Sequence, residues 1–131
     1  MIPVYLDNHP AGSSTRPLVH YAQLNDAKDH FVNYDFGSAE ENLDHYGAES
    51  PPEYDLTRVT AKTALYLGDM DSTATIPDGE HLRDVLPNVI KFEVLRDCSH
   101  MDFAIAVQAR EQIYDQILQV MAEIQTQTIH L

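Results

Sequence analysis

Two residues in the second half of this chain could do acid–base chemistry together, Asp71 and His100, which lie 29 residues apart. A carboxylate beside an imidazole fixes the ring tautomer and stabilises the imidazolium that forms when the histidine takes a proton. Such a pair supplies two thirds of a hydrolytic triad. Spacing alone leaves a second reading open, in which His100 is a capping or core histidine and Asp71 a turn residue. Asp69 is a rival acid, but alternation along an extended strand end points residues 69 and 71 oppositely, so only one should face His100. Asp102 could orient His100 locally and reads as a supporting or helix-starting carboxylate. Cys98 invites a thiol-nucleophile reading, yet two residues on one loop seldom reach the required approach geometry. A small buried apolar role suits it better.

Metal chemistry has one candidate. Asp69 to Glu80 imitates a calcium loop, with Asp at positions 1 and 3, Ile at 8 and Glu at 12. Position 6 is Ala74, where the sharp turn needs glycine, and Leu65-Tyr66-Leu67 before it reads as strand rather than entering helix. A calcium-binding loop protein is therefore the weakest of the readings. The seven histidines show no H-E-x-x-H or similar helix-face spacing, so no metal site is expected from them. They do make the charge climb as pH drops below about 6.5, which is compatible with an acidic compartment.

The elements that must position these groups follow from periodicity. Thr63 to Leu67 is rich in β-formers and closes at Gly68; lacking polar alternation, it predicts a strand buried on both faces of a parallel sheet. Thr75 to Leu86 predicts a helix, with Thr75 as N-cap, Pro77 in the first turn and Asp78 three residues after the cap. Val89 to Leu95 predicts the next strand and Arg96 to His100 a loop. From Phe103 onward, apolar residues at helical spacing predict a long amphipathic helix packed on the sheet, with a break near Gln108-Ala109-Arg110. A right-handed crossover between parallel strands puts the loops around Asp71 and His100 on one carboxyl edge, where ligands collect in open α/β sheets.

Residues 1–57 are less regular. Asn8 to Thr15 is a cluster of turn formers and capping residues. Pro17 sits where a first helical turn tolerates a missing N–H, and Leu18 to about His30 fits a short helix. Asn33, Asp35, Gly37 and Ser38 follow, and Gly47 to Pro52 reads as a second loop in which Pro51-Pro52 forbids helix.

Composition limits the function classes. At 131 residues the chain is one domain at most. A formal charge of −13 repels phosphate backbones and excludes a nucleic-acid partner. Hydrophobic residues at 44% argue against the disorder that acidity alone would suggest. No stretch approaches a transmembrane span, and Met1 to Asp7 has neither the basic region nor the apolar run of a signal peptide. The single cysteine excludes an internal disulfide.

Three stretches resemble the acid lipases, the gastric and lysosomal enzymes and their arthropod relatives. His9-Pro10-Ala11-Gly12-Ser13-Ser14, with His20 and Gln23, is similar to their H-x-P-A-G-T-S…H-x-x-Q segment. Tyr34-Asp35-Phe36-Gly37 through Asn42 and Tyr46-Gly47 to Pro51-Pro52-Glu53-Tyr54-Asp55-Leu56 is the second. The third runs from Leu65-Tyr66-Leu67-Gly68-Asp69-Met70-Asp71 through Leu86-Pro87-Asn88 to Ser99-His100-Met101-Asp102-Phe103.

The resemblance implies the carboxyl-terminal part of an α/β-hydrolase: the last two parallel strands with their crossover helix and a long terminal helix (58–131), preceded by part of a helical cap over the acyl pocket (1–57). The implied reaction is hydrolysis of fatty-acyl esters, triglycerides or sterol esters, through a serine acyl-enzyme. Asp71 would be the triad acid and His100 the base, in the order such enzymes use. No cofactor or metal is implied. Lipid esters are the implied substrate, the cap could touch a lipid interface, and the implied location is secreted or lysosomal. Ser99 stands where the family usually has Asn, and Ser72 and Thr73 where large apolar residues usually follow the acid.

No G-x-S-x-G occurs in the 131 residues, so the nucleophile elbow and its oxyanion donors are absent. The expectation is that the chain alone has no triad-based activity, hydrolysing a nitrophenyl ester no faster than its His100→Ala variant. The alternative is a non-catalytic, truncated or degenerate lipase paralogue acting as a binding module. A two-strand sheet buries little and leaves open edges, so marginal stability or aggregation is expected in isolation.

Overall fold

The computed structural model describes residues 12–27 and 30–129, so His9, Pro10 and Ala11 of the first resemblance segment, and His130, lie outside the described residues. The chain divides into two compact units, Met1–Asp55 and Leu56–Leu131.

The first unit is held by a polar knot more than by an apolar core. Helix α1 (Thr15–Ala27) buries no residue. Its His20 and Gln23 instead bind the extended segment that follows. His20 Nε2 meets the Val32 carbonyl at 2.9 Å, while Gln23 exchanges two hydrogen bonds with the Asp35 backbone at 2.8 and 3.0 Å. Helix α2 (Ala39–Tyr46) was not anticipated, because its composition is mostly polar. Its signal lay in the ends. Ser38 caps it by accepting from the Glu41 N–H at 3.1 Å, and Gly47 closes it at φ 71°. Serine followed three residues later by glutamate is a helix-start pair, and a left-handed glycine is the common stop. Asn42, 3% exposed, accepts from the Phe36 N–H and donates to Asp35 Oδ1, each at 3.0 Å. His45 stacks on Phe36 with centroids 3.7 Å apart, and an antiparallel bridge joins Val32 to Glu53.

The second unit opens with a 3-10 turn (Leu56–Arg58) and contains two parallel strands, β1 (Thr63–Gly68) and β2 (Val89–Leu95), joined by helix α3 (Ile76–Val85). The register runs from Thr63↔Val89 to Gly68↔Leu95, with an irregularity after Thr63. Thr75 caps α3 and Pro77 lies in its first turn. Gly79 of α3 sits against Leu67, so close that a methyl group there would meet Leu67 Cδ2 at 2.3 Å.

Beyond β2 come a one-turn helix α4 (Asp102–Ile105), a π-helical turn (Arg110–Tyr114) and helix α5 (Asp115–Ile129). The expected break in the terminal helix therefore falls before Ala109, and the helix restarts over-wide. The core beneath is Leu95, Cys98, Ala109 and Ile113, with Tyr66, Phe103, Ala106 and Ile117 packed on it.

Burial of β1 on both faces is not observed. Only Leu67 and Gly68 are buried in β1, and only Leu95 in β2. The strands carry the composition of an interior sheet, but within this chain one helix and one terminal segment are too few to cover two faces. Among the described residues no large side chain is fully buried, and Leu118 and Met121 of α5 are 61% and 53% exposed. No described helix is long and apolar enough to cross a membrane.

Candidate active site

The site forms where β1 and β2 end side by side. Gly68 closes β1, and its lack of a side chain lets the next loop approach: a Cβ there would stand 2.1 Å from the Cys98 carbonyl oxygen and 2.9 Å from its carbon. That contact is stitched by backbone hydrogen bonds. The Met70 N–H donates to the Cys98 carbonyl and the Asp69 N–H to the Leu95 carbonyl, each at 3.0 Å. Asp97 makes the turn out of β2 in the left-handed region, φ 52°, which aspartate tolerates better than most residues.

Three carboxylates then take hold of three consecutive residues of the loop after β2 (96–101), the second loop of the site. Asp69 Oδ1 accepts from the Cys98 N–H at 3.2 Å. Asp102 Oδ2 accepts from both the Ser99 N–H, at 2.8 Å, and the Ser99 hydroxyl, at 2.6 Å. Asp71 Oδ2 meets His100 Nδ1 at 3.0 Å. The rival acids are thus separated by geometry: Asp69 serves a backbone amide, and among the described residues only Asp71 bonds the imidazole.

Asp71 is held as a carboxylate. Its other oxygen accepts the N–H groups of Thr73 and Ala74, at 2.8 and 2.9 Å. The Ala74 N–H contributes most to lowering its pKa below the ordinary carboxylate value, with Thr73 and the His100 ring adding to it against the opposing effect of burial. Asp102 is likewise lowered, by the two Ser99 bonds. The Asp71 side chain is 3% exposed, whereas that of His100 is 55% exposed. A buried acceptor behind an accessible ring is the arrangement in which Nδ1–H points at the acid and Nε2 is left to exchange a proton with something outside.

The remaining candidates part from this site. Cys98 is 3% exposed, and burial pushes its thiol pKa up, with Asp102 adding to the effect. That is the setting of an inert thiol. The calcium-like segment does not converge: Asp69 and Asp71 turn to different residues of the second loop, and Glu80 lies on α3 within 3.9 Å of Arg83. Among the described residues no three histidine, cysteine or carboxylate side chains group as metal ligands. Sequence reasoning missed the Thr73 and Ala74 amides and the two hydrogen bonds that Ser99 donates to Asp102. The first pair carries no side-chain signal, whereas a serine three residues before an aspartate was a visible one.

Comparison with known proteins gives one consistent set of relatives. The chain is 37% identical over 121 residues to gastric triacylglycerol lipase of Mus musculus, covering 92% of this chain and 30% of that protein. It is 35% identical to lipase member N of Mus musculus and 30% identical to lipase member K of Homo sapiens, in both cases over 92% of this chain and 30% of the relative. The chain thus spans less than a third of the length of the curated relatives it matches. No family model matches it.

Proposed function

We propose, from the premise that this chain is a stretch of acid-lipase-type sequence, that Asp71 and His100 are the acid and base of a serine ester hydrolase acting on fatty-acyl esters. The 3.0 Å contact between His100 Nδ1 and the buried, ionised Asp71 carries the reading. In this scheme His100 Nε2 takes the proton of a serine hydroxyl as its oxygen attacks the ester carbonyl, then returns that proton to the departing alcohol. It next takes a proton from water as the water oxygen attacks the acyl-enzyme carbonyl. It hands that proton to the departing serine oxygen, releasing the fatty acid and regenerating the serine hydroxyl. Asp71 holds the ring in the productive tautomer and stabilises its charged form at both steps. The fold around the pair reads as the last two strands of an α/β-hydrolase, with residues up to about 57 as part of the cap over the acyl chain. A secreted or lysosomal setting goes with that reading. The nucleophile is not supplied in a G-x-S-x-G by these 131 residues, so the chain alone should not turn over esters through a triad.

The test is a chimera in which this chain replaces the aligned stretch of mouse gastric triacylglycerol lipase. The chimera should hydrolyse a fatty-acyl ester, and His100→Ala within it should lower kcat by about 10³-fold or more. Asp71→Asn should act in the same direction with substrate binding preserved. A folded chimera that is inactive, or one whose His100→Ala variant keeps its rate, would sink the catalytic reading and leave a non-catalytic paralogue.

A further inference from the structure

We propose that Asp102 is a positioning residue for His100: by binding both the amide and the hydroxyl of Ser99, it fixes the backbone from which the imidazole reaches Asp71. The inference rests on the reading of Asp71 and His100 as a working pair.

The geometry leaves His100 few other restraints. Its ring is half exposed and bonds Asp71 through Nδ1, with no second hydrogen bond to a described residue. Its aim therefore depends on the peptide to which it is attached. That peptide follows a left-handed turn at Asp97 and precedes a helix of a single turn, α4. Neither is a rigid support, since the turn is a single left-handed residue and a four-residue helix is marginal alone. Between them Ser99 is gripped twice by one carboxylate oxygen, at 2.6 and 2.8 Å, and the Asp102 N–H returns to the Ser99 carbonyl at 3.1 Å. Residues 99 to 102 thus form a closed ring of three hydrogen bonds with His100 and Met101 as its rim. Hydrogen bonds to an ionised acceptor are the stronger kind, and both Ser99 bonds favour the ionised form of Asp102.

Serine suits this ring because its hydroxyl reaches Oδ2 while its own N–H bonds the same atom. An alanine there would retain one bond and lose the other. At Asp102, asparagine retains a neutral acceptor for Ser99, whereas alanine removes it entirely. The three substitutions therefore grade the clamp without touching Asp71 or His100.

The experiment reads the His100 Nδ1 proton in the chain itself, by nitrogen–proton NMR, as its rate of exchange with solvent. In the wild-type chain the proton should be shifted downfield and protected by its bond to Asp71. Asp102→Ala should speed its exchange at least about tenfold while the amides of β1 and β2 keep their protection. Asp102→Asn should restore exchange to within about threefold of wild type, a rescue that a purely structural aspartate would not show in this ring proton alone. Unchanged ring exchange in Asp102→Ala, with the Ser99 amide deprotected, overturns the proposal. If Asp102→Ala does not fold, Ser99→Ala decides: exchange several-fold faster supports the clamp, and wild-type exchange overturns it. The two readings fail separately. A wild-type chain with no protected Nδ1 proton removes the Asp71–His100 pair and this inference with it. A protected proton indifferent to Asp102 removes the inference alone.

Discussion

Gly68→Ala is the perturbation that most directly connects the strand end to the chemistry. A methyl group there would meet the Cys98 carbonyl oxygen at 2.1 Å, against 3.4 Å or more for an ordinary contact. The obstacle is backbone, which cannot rotate away as a side-chain end can. The second loop would have to retreat by roughly 1 Å or more, as over-packed positions do, at a cost of about 1–3 kcal/mol. The retreat also loosens the Met70-to-Cys98 and Cys98-to-Asp69 bonds, each worth about 1 kcal/mol net. The expected loss is therefore roughly 2–4 kcal/mol, a large share of the stability of any small domain. His100 rides on the same loop, so its 3.0 Å bond to Asp71 should stretch past hydrogen-bond range. Urea unfolding of the chain measures the first effect and the His100 ring proton the second. Gly79→Ala is the contrast. Its new methyl meets the buried Leu67 side chain, Cδ2 at 2.3 Å and Cγ at 3.0 Å, so it should also cost stability by overpacking. With no contact to Cys98, it should leave the His100 ring proton protected. A Gly68→Ala chain within about 0.5 kcal/mol of wild type, with its ring proton still protected, would show that the close approach is not what joins the loops.

Two further outcomes follow from the site. Because the Asp71 pKa is depressed in the folded chain, its contribution should be fully present above the ordinary carboxyl range. It should fade only as pH falls through the lower, folded value. Unfolding free energies of wild type and Asp71→Asn should thus still differ at about pH 5 and converge only below about 4; a gap already closed at about pH 5 would contradict the assignment. Cys98, buried and with its thiol pKa raised, should resist a soluble disulfide reagent in the folded chain and react at once in denaturant; equal rates in both conditions would place the thiol outside the core.

The second unit was more legible in sequence than the first, for physical reasons. Val89–Leu95 and Thr63–Gly68 are dense in branched and aromatic residues, and Thr75 with Pro77 marks a helix start by capping chemistry, so those bounds follow from local preference. Helix α2 was missed because Ala39–Tyr46 offers almost no apolar periodicity and is announced only by Ser38, Glu41 and Gly47. At the site, Asp69 and Asp71 do take different partners. Strand alternation was the expected cause, but β1 ends at Gly68, and a turn closed by the Asp71 N–H on the Gly68 carbonyl at 3.2 Å separates them. The choice between a catalytic and a structural His100 was not available from spacing, because it depends on where a short turn sends its amides. The grip of Asp102 on Ser99, by contrast, was signalled by their three-residue separation. The depth of burial was misjudged for a different reason. A run of apolar residues records what a strand prefers to touch, and how much of that surface is covered depends on neighbours that Leu65 or Phe92 cannot specify.

One consequence of parallel pairing concerns how such a reaction centre could be assembled. Because β1 and β2 are immediate neighbours, the His100 imidazole and the Asp71 carboxylate arrive together on one strand–helix–strand segment and the loop that follows it. A nucleophile brought from any other piece of polypeptide would then face one docking problem rather than two, since only its distance to the exposed imidazole nitrogen remains to be set. Under the proposed reading, the pair would move between polypeptide settings as a single block.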